Sequence, residues 1–77
     1  MQAKKQADQH ARTIRRPIRA LRLPAVLEKT GLSRTHLYRL TLQGKFPSSH
    51  RLSERVAVWD EEVIDIWLAE KFAGGQP

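Results

Sequence analysis

The three residues Gly31-Leu32-Ser33 separate two short stretches whose apolar residues recur at helical spacing. No other feature limits so strongly what this chain of 77 residues can fold into. Ahead of the break, Val26 and Leu27 turn to one side while Glu28 and Lys29 turn to the other, which predicts a helix from about Pro24 to Thr30. Proline suits a helix start, where its missing N–H is not needed. Gly31 supplies the positive φ that ends such a helix sharply, and Leu32 then drops into the core. Ser33 follows as an N-cap, its hydroxyl accepting from an N–H one turn on. A second helix therefore begins at Arg34, turns Leu37, Leu40 and Leu42 toward the first, and ends at Gly44. Helices this short do not persist alone in water, so packing must hold them.

Two short helices joined by a tight Gly-containing turn, the second capped by Ser, form a helix-turn-helix pattern. If Leu37 and Leu40 are buried, then Arg34, Thr35, His36, Tyr38 and Arg39 stand on the faces pointing away from the core. Those residue types match the needs of double-stranded DNA. Arg forks onto guanine O6 and N7, Thr and His bond base edges or phosphates, and Tyr bonds phosphate or packs on a thymine methyl. For Tyr38 the alternative is packing against the hairpin that follows, with only its hydroxyl free.

On either side of this pair the pattern changes period. Ala20 to Leu23 alternates, with Leu21 and Leu23 on one side and Arg22 on the other, and fits a short strand or extended lead-in. After Phe46-Pro47, the apolar positions Leu52, Val56 and Val58 predict two short strands joined by a Ser53-Glu54-Arg55 loop. A hairpin after such a second helix is a wing, and Arg51 and Arg55 would flank its tip, within reach of phosphates or the minor groove. Glu54 at the same tip opposes phosphate, which limits what the wing contributes. Asp60 is expected to cap a third helix running to about Phe72, with Glu61 and Glu62 in its positive first turn. Its apolar residues Val63, Ile64, Ile66, Trp67 and Leu68 cover an arc of about 200°, wider than the stripe a surface helix needs. Two explanations stay open: the excess closes a small core, or it leaves a patch on Ile64, Leu68 and Phe72 for another copy or another protein. Trp59 and Trp67 are expected as core anchors.

Charge divides the chain. Residues 1 to 22 carry seven Lys/Arg and one Asp, and residues 23 to 59 carry six against two, whereas residues 60 to 77 carry one Lys against five acids. A basic front and middle suit a polyanion, since Lys and Arg displace condensed counterions from phosphate. A solvated tail kept for solubility is the other reading of the basic N-terminus. Residues 1–17 are expected to be a flexible basic arm with Ile14 as their only large apolar residue, 18–72 a single winged domain, and 73–77 a disordered tail. The carboxylates Glu61, Glu62 and Asp65 read as a solvated helix face.

Several classes of function lack support. There is no Cys for disulfides, thiolate chemistry or Cys-based zinc sites, and His10, His36 and His50 are too scattered for a metal. Ser33 has a capping role and no positioned base, so it is no nucleophile. No apolar run approaches the roughly 20 residues that cross a bilayer, and the stretch MQAKKQADQHARTIRRP lacks the apolar core of a signal peptide, so the chain is expected to be soluble and unprocessed. The expectation is a cytoplasmic, nucleoid-associated protein that is not an enzyme and takes no cofactor, metal or small-molecule ligand.

From Leu21 to Leu68, the segments LRLPAVLEKTGLSRTHLYRL, GKFPSSHRL and VAVWDEEVIDIWL together resemble the AlpA family of small prophage regulators, relatives of phage excisionases. The resemblance implies a mainly helical α+β fold: a winged helix-turn-helix of the MerR/excisionase kind, with three short helices and a β-hairpin wing. It implies that the second helix enters a major groove. Carried over position by position, it puts DNA contact on Ser33, Arg34, Thr35, His36, Tyr38 and Arg39, with Arg51 and Arg55 on the wing. The chain departs from the family pattern at Ser53, where Gly is common in the wing turn, and at Asp60, where Arg is common. It also departs at His36, where smaller hydroxyl residues are usual, which changes the base sequence read. The resemblance further implies a phage or mobile-element role, either regulating transcription of integration and excision genes or bending DNA during excision. A protein-interaction module built on the third helix is the rival reading.

Overall fold

A computed structural model describes residues 16–74. In chain order they form β1 (Ala20–Leu21), α1 (Leu23–Thr30), α2 (Arg34–Leu42), β2 (His50–Ser53), β3 (Val56–Asp60) and α3 (Glu61–Gly74). The three strands make one antiparallel sheet in the order β1-β3-β2. The fold is thus α+β and mainly helical, as a winged helix-turn-helix requires. Most of the expected arm, residues 1–15, and the last three residues of the expected tail lie outside the described residues. Ala73 and Gly74, expected in that tail, are helical.

Every element except β2, whose residues are all exposed, sends a side chain into a single core. Leu21 comes from β1, Val26 from α1, Leu37 from α2, Trp59 from β3 and Ile64 from α3, with Phe46 from the loop between α2 and β2. Val26, Leu37 and Ile64 are fully buried. Removing one such side chain from water contributes roughly 1.5–3 kcal/mol, a large share of the stability of a small domain. Around this centre pack Leu23, Ala25, Leu27, Leu32, Leu40, Trp67 and Leu68.

The lead-in strand is shorter than its alternation suggests, because Leu23 already belongs to α1, with Pro24 in the first turn. Ala20 pairs with Asp60 and Leu21 with Trp59, so the lead-in completes a third strand of the sheet. In the hairpin, His50 faces Val58 and Arg51 faces Ala57, but Ser53 faces Val56. Leu52 is therefore an extra residue on β2. A bulge of this kind breaks the alternation of the strand, and Leu52 is left exposed rather than packed. Ser53, expected in the loop, is the last residue of β2, and the turn narrows to Glu54-Arg55.

One expected core position is corrected. Leu42 is 89% exposed, because at 100° per residue it lies about 140° around α2 from Leu37, on the side away from α1. Of the two explanations left open for the arc of α3, core closure accounts for Ile64, which is fully buried, and for Leu68, which packs against the core, while Phe72 is exposed. The wide apolar arc of α3 is split, with Ile64 inward and Val63 and Ile66 outward.

Candidate nucleic-acid interface

The turn between α1 and α2 is held by backbone geometry that its residues dictate. Gly31 has φ 76 and its N–H donates to the Leu27 carbonyl at 2.8 Å. Thr30 Oγ1 donates to the Val26 carbonyl at 2.8 Å and accepts from the Leu32 N–H at 3.3 Å. Ser33 is extended, and its Oγ accepts from the His36 N–H at 3.1 Å. Its carbonyl accepts from the Leu37 N–H at 2.9 Å, which starts the helix. With Leu37 locked inward, the rotation of α2 is set.

That rotation leaves Arg34, Thr35, His36, Tyr38 and Arg39 exposed. Thr35, Arg39 and Leu42 define the outermost line, with Tyr38 and His36 on its two sides. Among the described residues, neither Arg34 nor Arg39 enters an ion pair. Leu42, which sequence reasoning assigned to the core, joins this face. Counting its angle from Leu37 would have placed it there.

The helix ends reinforce the difference between α2 and α3. Neither α1 nor α2 carries an acidic residue in its first turn, so the positive ends of both helix dipoles are left uncompensated. In α3 the first turn holds Glu61 and Glu62, and Asp60 Oδ1 accepts from the Glu62 N–H at 3.0 Å. The acids of α3 are not the freely solvated face expected of them. Lys29 Nζ lies 3.1 Å from Glu61 and 2.9 Å from Asp65. Arg16 pairs with both Asp60 and Glu62, and Arg19 stands 3.9 Å from Glu61. The carboxylates Asp65 and Glu61, through their hydrogen bonds, raise the Lys29 pKa above its ordinary value. Hydrogen bonding to Asp60 does the same for Arg16.

This pairing redraws the charge map. Arg16, Arg19 and Lys29, counted toward a polyanion in the sequence, neutralise α3 instead. The cations without an ion pair among the described residues are on α2, on the wing, at Arg22 and Lys45, and at Lys71 in the last turn of α3. On the wing, Arg51 and Arg55 differ. Arg51 Nη1 donates to the Glu54 carbonyl at 2.7 Å and so ties its own turn together. Arg55, in the turn itself, is exposed. Among the described residues, no group of three or more His, Asp or Glu could hold a metal ion, and no helix is long and apolar enough to cross a membrane.

Comparison with known proteins points the same way. Residues 19–72 match the family described as Prophage CP4-57 regulatory protein (AlpA). The chain is similar to the DNA-binding transcriptional activator AlpA of Escherichia coli K12, with 35% identity over 63 residues, covering 74% of this chain and 90% of that protein. It is similar also to the uncharacterized protein ORF88 of Enterobacteria phage P4, with 36% identity over 56 residues, covering 73% of this chain. The match spans 64% of the length of that phage protein. No solved structure matches the chain.

Proposed function

The chain belongs to the AlpA family of prophage regulatory proteins, and on that premise we propose that it is a sequence-specific double-stranded DNA-binding regulator of transcription, with integration and excision genes as its targets. The observation that carries this reading is the outward face of α2. Its polar side chains are exposed, its two arginines enter no ion pair among the described residues, and its N-terminus bears no acid. Such a helix suits a major groove, where Arg34, His36 and Arg39 meet base edges, Thr35 and Tyr38 meet edges or phosphates, and Leu42 meets a thymine methyl. Ser33, whose Oγ is engaged as a cap, keeps its hydroxyl proton for a phosphate oxygen.

On the wing, Arg55 takes the phosphate or minor-groove contact, while Arg51 serves mainly to hold the turn. One recognition helix reads only a few base pairs, so useful discrimination calls for repeated sites occupied by several copies. The rival reading, a protein-interaction module on α3, loses support because its central residue Ile64 has no exposed surface.

The test is selection of the purified protein against a random duplex pool at about 0.15 M salt, where weak phosphate binding is already screened. Recovery of a motif, repeated at fixed spacing, is the expected result. Recovery of no motif, with binding equal on all sequences, would replace sequence-specific regulation by architectural DNA binding.

A further inference from the structure

Beyond α2 and the wing, two lysines that enter no ion pair among the described residues share one groove. The loop after α2 and the outer side of α3 enclose an open groove of about 380 Å³ lined by Gly44, Lys45, Phe46, Pro47, Trp67, Glu70 and Lys71. Its floor is rigid. Phe46 is buried and meets the Trp67 ring edge-on, with centroids 4.7 Å apart and planes at 70°. The Lys45 backbone is pinned on both sides: its N–H donates to the Leu40 carbonyl at 2.8 Å, and its carbonyl accepts from Trp67 Nε1 at 2.8 Å. Gly44, with φ 72, makes the turn that allows this.

Lys45 is therefore fixed relative to the recognition helix although its side chain is exposed. Lys71 Nζ stands 5.4 Å from the centroid of Trp67, on the same groove. Neither lysine enters an ion pair among the described residues, unlike Lys29, which holds two carboxylates. Glu70 is the single acid lining the groove, and it too is unpaired among the described residues.

We propose that Lys45 and Lys71 form a phosphate clamp that extends the DNA footprint from α2 across to α3. The occupant is the sugar-phosphate backbone flanking the base pairs that α2 reads. An ammonium is a point charge that binds phosphate without reading sequence. A rigid loop directly after α2 gives such a charge a constant offset from the recognition helix, so the clamp sets register and orientation. Glu70 opposes the phosphate and weakens the clamp. This inference rests on the DNA-binding reading above.

The experiment is a salt titration of duplex affinity for the full chain and for three variants: Lys45→Gln, Lys45→Gln/Lys71→Gln, and Glu70→Gln. Lys45→Gln leaves the Lys71–Trp67 contact intact, so it separates phosphate contact from packing. The expected result for the double variant is affinity about tenfold weaker near 0.15 M salt, equally on all sequences, with a slope of log K against log salt flattened by about 1.8, or 0.9 for each phosphate. Lys45→Gln should give about half that change in slope. Glu70→Gln should act in the opposite direction and tighten binding about threefold, which a packing role would not produce. A native chain that binds no duplex at any salt overturns the DNA-binding reading and the clamp together. A native chain that binds, with all three variants keeping its slope and affinity, overturns the clamp alone. Variants that bind DNA normally but lose activation at a promoter assign the groove to a protein partner, which also overturns the clamp.

Discussion

Arg16 holds Asp60 across 44 residues of chain, with Nη2 2.6 Å from Oδ2 and Nη1 3.4 Å from Oδ1. Asp60 in turn caps the first turn of α3 through the Glu62 N–H. One carboxylate thus joins the approach to β1, the end of β3 and the start of α3. The Arg16 hydrogen bond holds the Asp60 carboxyl below its ordinary value of 3.8, against the opposing effect of burial.

The sign of the resulting pH dependence follows from linkage. A carboxyl with a depressed folded pKa contributes stability above its unfolded value and loses it as the pH falls through the folded value. The native melting temperature should therefore drop as the pH is lowered from about 5 to about 2. Asp60→Asn should start lower at neutral pH and show a flatter acid limb. Thermal melts across that range check it, and parallel acid limbs would sink the assignment. Asp60→Ala should lose about 1 kcal/mol more than Asp60→Asn, since it removes the cap acceptor as well.

Gly31→Ala isolates backbone strain. A methyl group there meets nothing within 4 Å, so packing is not the obstacle. The positive φ alone should cost about 1–2 kcal/mol. Chemical denaturation measures it, and a neutral result would mean that the turn relaxes to a different geometry.

Two leucines of α2 should behave in opposite ways. Leu37 has no exposed surface and Leu42 is 89% exposed. Leu37→Ala should destabilise the domain by about 2–5 kcal/mol, a large share of the stability of a domain this small. Leu42→Ala should leave stability within about 0.5 kcal/mol of native and reduce preference for a thymine in the selected motif. Melting and repeated selection on the same two variants separate the roles.

The arginines of α2 and the wing should also divide. Arg34→Ala and Arg39→Ala should each lose about 1–3 kcal/mol on the preferred duplex and little on others, relaxing one motif position. Arg55→Ala should weaken all duplexes alike and flatten the salt slope by about 0.9. Arg51→Ala should raise hydrogen exchange at the Glu54-Arg55 turn, because the 2.7 Å bond to the Glu54 carbonyl is lost. Equal losses on every sequence for all four would place the arginines on phosphates alone.

Much of this site is legible in the primary sequence because its determinants are local. Gly31 for positive φ, Ser33 for the cap and Leu37 for the buried face act within one or two helical turns, and they orient the side chains from Arg34 to Arg39. The hairpin is legible for the same reason, but its bulge is not. Whether Leu52 or Ser53 faces Val56 depends on how β2 is matched to a strand that is itself anchored by β1.

What needed the tertiary structure concerns residues distant in the chain. Phe46 carries no periodic signal, yet it closes the core against Trp67. The basic count of the N-terminal half overstates its reach toward DNA, because Arg16, Arg19 and Lys29 are engaged by acids of α3 and its cap. Composition assigns a charge to each residue, but the field a partner meets depends on which charges lie within a few ångströms of an opposite one. Local sequence determined α2 and its outward face. Long-range packing decided which cations remained available to act with it.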